Sequence, residues 1–302
     1  MGRSMRLMSI VLMLGISAAA CSRGGSHSVT DNAFPLVASR WTNAAWLEDV
    51  RRGFAAYEAR DAAGAEAALA AAWKRGCRDS LVAYRYAFVL ERKQDTSRAK
   101  ALYLEAAGLL AKEYPGHPYV REVWHNLGHI EYRAERFDEA LTLYRKAIDT
   151  GKQATPEMAF SMGMALRRMK RYAEAIGWFE KADLSDFRTN FYMADVYYEL
   201  KKFDLAMQAM ERAVKADPRS AKALGSLAHF WYALSERREE SGDFDAAQDA
   251  IRQSVGMYGR AIAAGGTNYI EYRKAAEARV RDLERLRAAA RTNGLTRIPA
   301  AE

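Results

Sequence analysis

Apolar residues recur along most of the chain at helical spacing, in pairs of segments separated by short polar turns. Four segments share one pattern, in which an aromatic residue follows the turn, an alanine comes three residues later and a large apolar residue four residues after that. The aromatic residues are Phe137, Tyr172, Phe203 and Phe244. Since residues three and four apart share one face of a helix, each segment predicts an amphipathic helix.

A second helix is predicted before each of these four. A small residue stands nine positions before the aromatic in the first three copies, at Gly128, Gly163 and Ala194. Small residues let two helices approach closely, so these positions mark the crossing of an antiparallel helix pair. In the fourth copy Leu227 and Ala228 fill the equivalent places seven residues earlier, which predicts two extra helical turns, one on each helix.

The helix pair recurs along the chain, with two fainter copies before the four. The alanine that follows the turn lies at positions 65, 99, 140, 175, 206 and 247. The intervals that end at Ala140 and Ala247 are the longest, and the interval that ends at Ala206 is the shortest. One helix pair cannot bury its own apolar face, so a repeat with a period of roughly 30–40 residues predicts a stack of pairs.

The repeat resembles the tetratricopeptide repeat family, whose unit of about 34 residues is a helix–turn–helix. The third copy shows the fullest match, in Trp124, Leu127, Gly128, Phe137, Ala140, Tyr144 and Ala147. Pro218 matches the closing proline of the fifth copy, whereas Glu131 departs from the usual aromatic residue. The resemblance covers residues 44–264 and implies an all-α fold, a right-handed superhelical solenoid of about six repeats.

The segment after the last repeat predicts one more helix. Residues 267–291 are highly charged, with Ile270, Val280, Leu283 and Leu286 on one side. Such a segment is expected to cap the apolar face of the last repeat. Residues 292–302 are expected to form a loose tail.

The first 20 residues have the composition of a targeting segment. Arg3 and Arg6 precede an apolar run, Leu7–Ala20, that is too short to span a bilayer as a helix and typical of a secretory signal. Cys21 follows directly, and this order resembles a bacterial lipoprotein signal. The resemblance implies a lipid (palmitate) anchor on Cys21 and, because Ser22 follows, location at the outer membrane facing the periplasm. Ordinary cleavage after the preceding alanines would instead leave a soluble periplasmic protein.

Composition and charge narrow the function classes. Residues 21–43, rich in glycine and serine, are expected to form a flexible tether. Loss of residues 1–20 would lower the formal net charge from +8 to +6, and the remaining charges are spread along the chain, which argues against a nucleic-acid-binding patch. With Cys21 lipidated, Cys77 has no disulfide partner and is interpreted as a small residue near a helix end.

The family resemblance also implies which side chains line the concave groove, because the first helix of each repeat faces it. Those positions are rich in aromatic residues, which suit a binding surface. The predicted partner-binding groove consists of Tyr84, Phe88, His125, His129, Tyr132, Phe160, Met164, Arg167, Phe191, Asp195, Tyr198, His229 and Tyr232. Val50 and Phe54 stand where carboxylate-gripping members of the family have lysine and asparagine, so that mode of binding is not expected.

His125 and His129 raise the question of a metal site, since histidines four residues apart on a helix can bind zinc. A zinc-peptidase helix would have glutamate beside the first histidine, but Asn126 stands there, and no third ligand is evident. The chain also lacks the glycine-rich phosphate loop, the dinucleotide fingerprint and the nucleophile elbow of common enzyme classes. The sequence therefore predicts a protein without catalytic residues, metal or cofactor.

The expected function is that of a scaffold for protein–protein interaction in the bacterial cell envelope. Lipid anchor and repeat number together resemble the type IV pilus secretin pilotins, which implies a protein or peptide partner in an envelope complex of the pilus or secretion kind. The alternative is a lipoprotein that binds a small molecule or works with a transporter. The sequence does not name the partner.

Overall fold

The computed structural model describes residues 33–114 and 117–292, and these residues form helices with no strand among them. The predictions for residues 1–32, including the signal segment and Cys21, and for residues 293–302 lie outside the described residues. The chain divides into two compact units, residues 1–153 and 154–302.

Unit 1 is a stack of helix pairs. Its described helices are α1 (Ala33–Arg40), α2 (Leu47–Glu58), α3 (Ala62–Lys74), α4 (Ser80–Arg92), α5 (Thr96–Glu113), α6 (Tyr119–Arg133) and α7 (Phe137–Gly151). Helices α2–α3, α4–α5 and α6–α7 form the pairs, and each successive pair packs on the one before it. Leu69, Tyr103 and Leu127 are buried in the core.

Unit 2 repeats this arrangement and adds a terminal helix. Its described helices are α8 (Pro156–Arg168), α9 (Tyr172–Phe179), α10 (Phe187–Glu199), α11 (Phe203–Ala216), α12 (Ala221–Glu240), α13 (Phe244–Ala263) and α14 (Ile270–Thr292). A short 3-10 turn, Thr267–Tyr269, precedes α14. Helix α9 has only 8 residues, and the next repeat follows it at the shortest interval, from Ala175 to Ala206.

The close crossings predicted from small residues are confirmed. A Cβ atom on Gly163 would lie 2.7 Å from Cδ1 of Phe179. The structure adds a close approach at Gly53, which was not among the predicted positions, where a Cβ atom would lie 2.7 Å from Cγ of Leu69. Gly128 faces the ring of Tyr144 in the same way. Ala140 is fully buried. Only a residue without a large side chain fits at these crossings.

The two helices of each pair are joined by the same kind of turn. One residue of this turn adopts the left-handed conformation, with φ between 57° and 78°. These residues are Arg60, Gln94, Glu135, Lys170, Lys201 and Gly242. The following backbone N–H reaches back to the last turn of the helix, as Arg136 N does to Glu131 O at 3.0 Å. This hydrogen bond satisfies a carbonyl that the helix end leaves open. Five of the six residues are not glycine, so composition did not reveal the turn.

The last pair is longer than predicted. Helices α12 and α13 have 20 residues each, whereas α10 has 13 and α11 has 14. The addition is about two turns on each helix rather than one. The pair therefore crosses at two places: Ser235 Oγ donates to Ala247 O at 2.8 Å, and Ser254 Oγ donates to Ala228 O at 2.8 Å. Ser235 holds the regular position nine residues before Phe244, in addition to the predicted place at Ala228.

The predicted tether is shorter than expected, because α1 lies within it. Val37 is fully buried, and Arg40 forms an ion pair with Glu113 at 3.2 Å. Trp41 Nε1 donates to Asp79 Oδ2 at 3.0 Å, which fixes the chain against the start of α4. The sequence did not reveal this helix because eight residues are too few to show a period.

The predicted capping helix is confirmed as α14. Its Ala276 and Leu283 are buried against residues of α12 and α13. Ile270 and Leu286 were expected to pack on the last repeat as well, but each is 40% exposed. Among the described residues, no helix combines the length and apolar character needed to cross a bilayer.

Candidate functional site

The predicted groove residues of α4 belong to an aromatic cluster in unit 1. The ring of Tyr84 stacks on that of Tyr119, with centroids 4.0 Å apart. Phe88 meets Tyr57 edge to face at 5.9 Å. The guanidinium of Arg85 lies 4.0 Å from the centre of the Tyr57 ring and donates to the Tyr119 hydroxyl at 3.1 Å. The cluster is well packed, and Phe88 keeps part of its surface open.

The two histidines of α6 pack against each other and against the second helix of their repeat. Their ring centroids are 4.5 Å apart, and the Tyr144 hydroxyl lies 3.3 Å from His129 Nδ1. Asn126, where a zinc peptidase would have glutamate, donates to the Tyr103 hydroxyl at 3.1 Å. No group of three or more His, Cys, Asp or Glu that could hold a metal ion occurs among the described residues.

In unit 2, three cations lie over three aromatic rings on the first helices of successive repeats. The guanidinium of Arg188 lies 5.1 Å from the Phe160 ring centre, and that of Arg167 lies 5.0 Å from that of Tyr192. Lys222 Nζ lies 5.1 Å from the Phe191 ring centre. The negatively polarised face of an aromatic ring attracts a cation. We call these six residues the cation–aromatic row.

An ion pair orders the row. Arg167 Nε donates to Asp195 Oδ2 at 2.6 Å, and both side chains are largely buried. Burial first, and then the nearby Arg167, lower the pKa of Lys222 to about 8, although Asp195 opposes the shift. The row is therefore a partly desolvated surface with positive charge beside aromatic rings.

The predicted groove residues of α12 are covered by the terminal helix. The Tyr258 hydroxyl lies 2.6 Å from His229 Nδ1, and the Tyr272 ring meets the His229 ring edge to face at 4.8 Å. Burial lowers the pKa of His229 to about 4. Tyr232 lies beneath the guanidinium of Arg279, 5.6 Å from its ring centre.

Burial differs widely across the predicted groove. Four of its members retain little surface, with exposed fractions between 3% and 6%: Tyr84, His125, Met164 and Phe191. Tyr132, like Phe88, is partly exposed, and Tyr198 is 39% exposed. Binding by these residues stays a prediction, and the partly exposed ones have the surface to make contact.

A cleft of about 210 Å³ lies beside Tyr198 in unit 2. Its apolar lining includes Tyr198, Phe203, Met207, Phe230 and Leu234. Its charged lining consists of Asp204, Glu236, Arg237 and Glu240. Only Tyr198 among these residues belongs to the predicted groove. The signal for the rest was the long interval between Ala206 and Ala247, which shows that the helices of the last repeat are longer than those before them.

Comparison with known proteins agrees with the helix pairs. Three family models described as tetratricopeptide repeat match residues 79–153, 125–189 and 187–220. No curated protein matches the chain.

Two solved structures are similar in fold. One is the C-terminal part of a TPR repeat-containing protein from Cytophaga hutchinsonii, with 17% identity, coverage of 76% of this chain and 91% of that chain, and a TM-score of 0.56. The other is PilF of Pseudomonas aeruginosa, with 19% identity, coverage of 76% and 96%, and a TM-score of 0.53. At such identities the likeness concerns the fold alone.

Proposed function

This chain is a tetratricopeptide repeat protein, and we propose that it is a non-catalytic scaffold that binds a segment of a second protein of the bacterial cell envelope. In this proposal a lipid on Cys21 holds it at the periplasmic face of the outer membrane, where it assists assembly of a complex of the pilus or secretion kind.

The cation–aromatic row carries the binding part of this proposal. Phe160 keeps part of its apolar surface open and the three cations keep part of theirs, whereas the rings of Phe191 and Tyr192 are buried beneath their cations. All six side chains are held on rigid helices. The relation recurs along the unit, because Lys222 lies over Phe191 as Arg188 lies over Phe160. A surface with such a repeat suits an extended or helical segment better than a compact ligand.

The envelope part rests on the sequence of residues 1–22. Basic residues, a short apolar run and a cysteine directly after it are the features that a lipoprotein signal requires. The pilus or secretion role follows from the resemblance of anchor and repeat number to the pilotins. The fold likeness to PilF adds no further support for that role.

Capture from membranes tests the binding part. The tagged full chain is purified from detergent-solubilised membranes, and bound proteins are identified by mass spectrometry. We expect one stoichiometric envelope protein, with capture falling about tenfold or more when Arg167 and Lys222 are both replaced by alanine. Lys215 and Arg219, which are exposed outside the row, provide the matched double-alanine control and are expected to leave capture unchanged.

If both double variants capture the partner equally well, the cation–aromatic row is not part of the binding surface. Native mass spectrometry that shows a bound small molecule and no protein partner would favour the alternative function. Far-ultraviolet circular dichroism of both variants checks that the helices remain intact.

Lipid labelling tests the anchor separately. Cells are grown with labelled palmitate and fractionated, and the wild-type chain is compared with Cys21→Ala. We expect a labelled wild-type protein in the outer membrane and an unlabelled variant outside it. An unlabelled wild-type protein in the soluble periplasmic fraction would instead support ordinary signal cleavage.

A further inference from the structure

Helix α12 continues well beyond the end of the helix pair that precedes it in unit 2. The Tyr198 ring stacks on Phe230 with centroids 5.4 Å apart and planes inclined by 13°. Helix α10 ends at Glu199, one residue later, whereas α12 continues from Phe230 to Glu240. Ten residues of helix are about 15 Å long. The extra turns of α12 form one wall of the cleft, and Tyr198 at the end of α10 forms the other together with the start of α11.

The floor of the cleft is apolar and incompletely covered. Tyr198 is 39% exposed, and Phe203, Met207, Phe230 and Leu234 are partly exposed. The guanidinium of Arg237 lies 5.1 Å from the Phe203 ring centre and closes one side. Clustered apolar residues that share one cleft gain stability when a partner covers them.

The charged lining is predominantly acidic, with the carboxylates of Asp204, Glu236 and Glu240 against the single guanidinium of Arg237. None of these three carboxylates forms an ion pair with any residue in the described ranges 33–114 and 117–292. Burial, and then the neighbouring Glu240, raise the pKa of Glu236, against the effect of Arg279. A cation placed beside Glu236 would offset its desolvation.

The size of the cleft argues for side chains of a larger partner rather than a separate small molecule. Its volume of about 210 Å³ is below the roughly 300–1,000 Å³ typical of small-molecule pockets. It is wide enough for one or two large side chains of a segment that continues across the surface.

We propose that this cleft is a docking site for a basic, apolar segment of a partner protein, which packs a large apolar side chain against Tyr198, Phe230 and Leu234 and places a neighbouring lysine or arginine beside Glu236 and Glu240. This inference rests on the proposed function, since it assigns one place and one partner chemistry to the scaffold.

The positive net charge of the chain makes a preference for basic peptides a specific sign of binding in the cleft. The formal net charge is +8, so long-range attraction favours acidic peptides. A preference for basic peptides would therefore have to come from a local acidic surface such as the cleft.

Titration with defined peptides tests the proposal on the full chain. Three fluorescent peptides of equal length carry a Lys-Leu-Phe-Lys, a Glu-Leu-Phe-Glu or a Lys-Ser-Ser-Lys core, and binding is followed by anisotropy at low and high salt. We expect saturable binding of the Lys-Leu-Phe-Lys peptide, with the other two binding at least about tenfold more weakly.

Variants then locate the site. Replacing both Glu236 and Glu240 by glutamine keeps the shape of the cleft. It is expected to lower the affinity for the Lys-Leu-Phe-Lys peptide about fivefold to tenfold. Tyr198→Ala is expected to lower this affinity by a similar factor. The matched controls are Glu211→Gln and Leu205→Ala on α11, which are exposed outside the cleft and are expected to change nothing.

Failure of the docking proposal can be told apart from failure of the proposed function. If the envelope partner is captured but the cleft variants neither reduce capture nor weaken the peptide, the docking proposal is wrong and the scaffold function stands. If the peptide binds as expected and no partner is captured, the scaffold function fails while the cleft chemistry stands. A dimer that Tyr198→Ala dissociates, seen by light scattering, would assign the cleft to a second copy and overturn the docking proposal.

Discussion

The ring of Phe179 occupies the space that a side chain on Gly163 would need, because a Cβ atom on Gly163 would lie 2.7 Å from Cδ1 of that ring. We expect Gly163→Ala to lower the free energy of unfolding by roughly 1–3 kcal/mol through overpacking. Urea unfolding followed by circular dichroism measures this. Gly177→Ala on the neighbouring helix α9 is the control. No atom lies within 4 Å of its Cβ position, so a helix-stabilising effect of up to about 1 kcal/mol is expected. Equal effects at both positions would contradict the crossing at Gly163.

Ala140 marks the same kind of crossing in unit 1, where it is fully buried. We expect Ala140→Leu to cost roughly 1–3 kcal/mol, because the added atoms have no space at the crossing. Thermal melts of the variant measure the loss. Ala101→Leu adds the same group at an exposed position of α5 and is expected to melt like the wild type. An unchanged melting temperature for Ala140→Leu would refute the placement of Ala140.

Burial of His229 predicts a pH dependence of stability in unit 2. Its pKa is about 4 in the folded chain against an ordinary value of 6.5, so the unfolded chain binds the proton more readily. The stabilisation is complete above about pH 6.5, falls as the pH decreases towards 4 and is lost below that. The expected loss between about pH 7 and pH 5 is about 2 kcal/mol.

The pH effect of His229 is isolated by a variant. Urea unfolding at both pH values is compared for the wild type and His229→Asn, and the other titrating groups cancel in the difference. The variant is expected to lose about 2 kcal/mol less than the wild type over this interval. If the wild type and the variant lose the same free energy of unfolding over this interval, His229 is not held in its neutral form.

The lowered pKa of Lys222 predicts a lysine that reacts with acylating reagents near neutral pH. Arg167 lowers the pKa of Lys222 and Asp195 raises it, so the two substitutions have opposite effects. We expect Asp195→Asn to raise the acetylation rate of Lys222 and Arg167→Ala to lower it, each by about twofold to threefold. Mass spectrometry of peptides from a time course measures the rates, with the exposed Lys215 as the internal reference. Rates that change in the same direction would contradict these charge contributions.

Helix periodicity and small residues at fixed positions sufficed to predict the helix pairs. Gly128, Gly163 and Ala194 were identified as crossings because a close approach of two helices excludes a large side chain, and this constraint shows in the sequence. The short turns were less predictable. Their left-handed residue is Glu135 or Lys170 as readily as Gly242, because the backbone hydrogen bonds of the turn stabilise it whatever the side chain.

The candidate site was only partly predictable, because groove membership depends on what packs against each position. The repeat register placed Tyr84 and Phe191 on the same face as Tyr198, yet Tyr84 is 4% and Phe191 3% exposed whereas Tyr198 is 39% exposed. Periodicity tells which side of a helix is apolar, but not whether a neighbouring ring covers a particular side chain.

The sequence by itself determined the repeating helix pair, the all-helical class and the chemistry available on each helix, because these depend on contacts between residues close in the chain. The tertiary structure decided that Trp41, directly after α1, binds Asp79, that α14 covers His229 and that the extra turns of α12 open an acidic, apolar cleft beside Tyr198. These features depend on the relative lengths and packing of helices far apart in the chain, and no local pattern of residues encodes them.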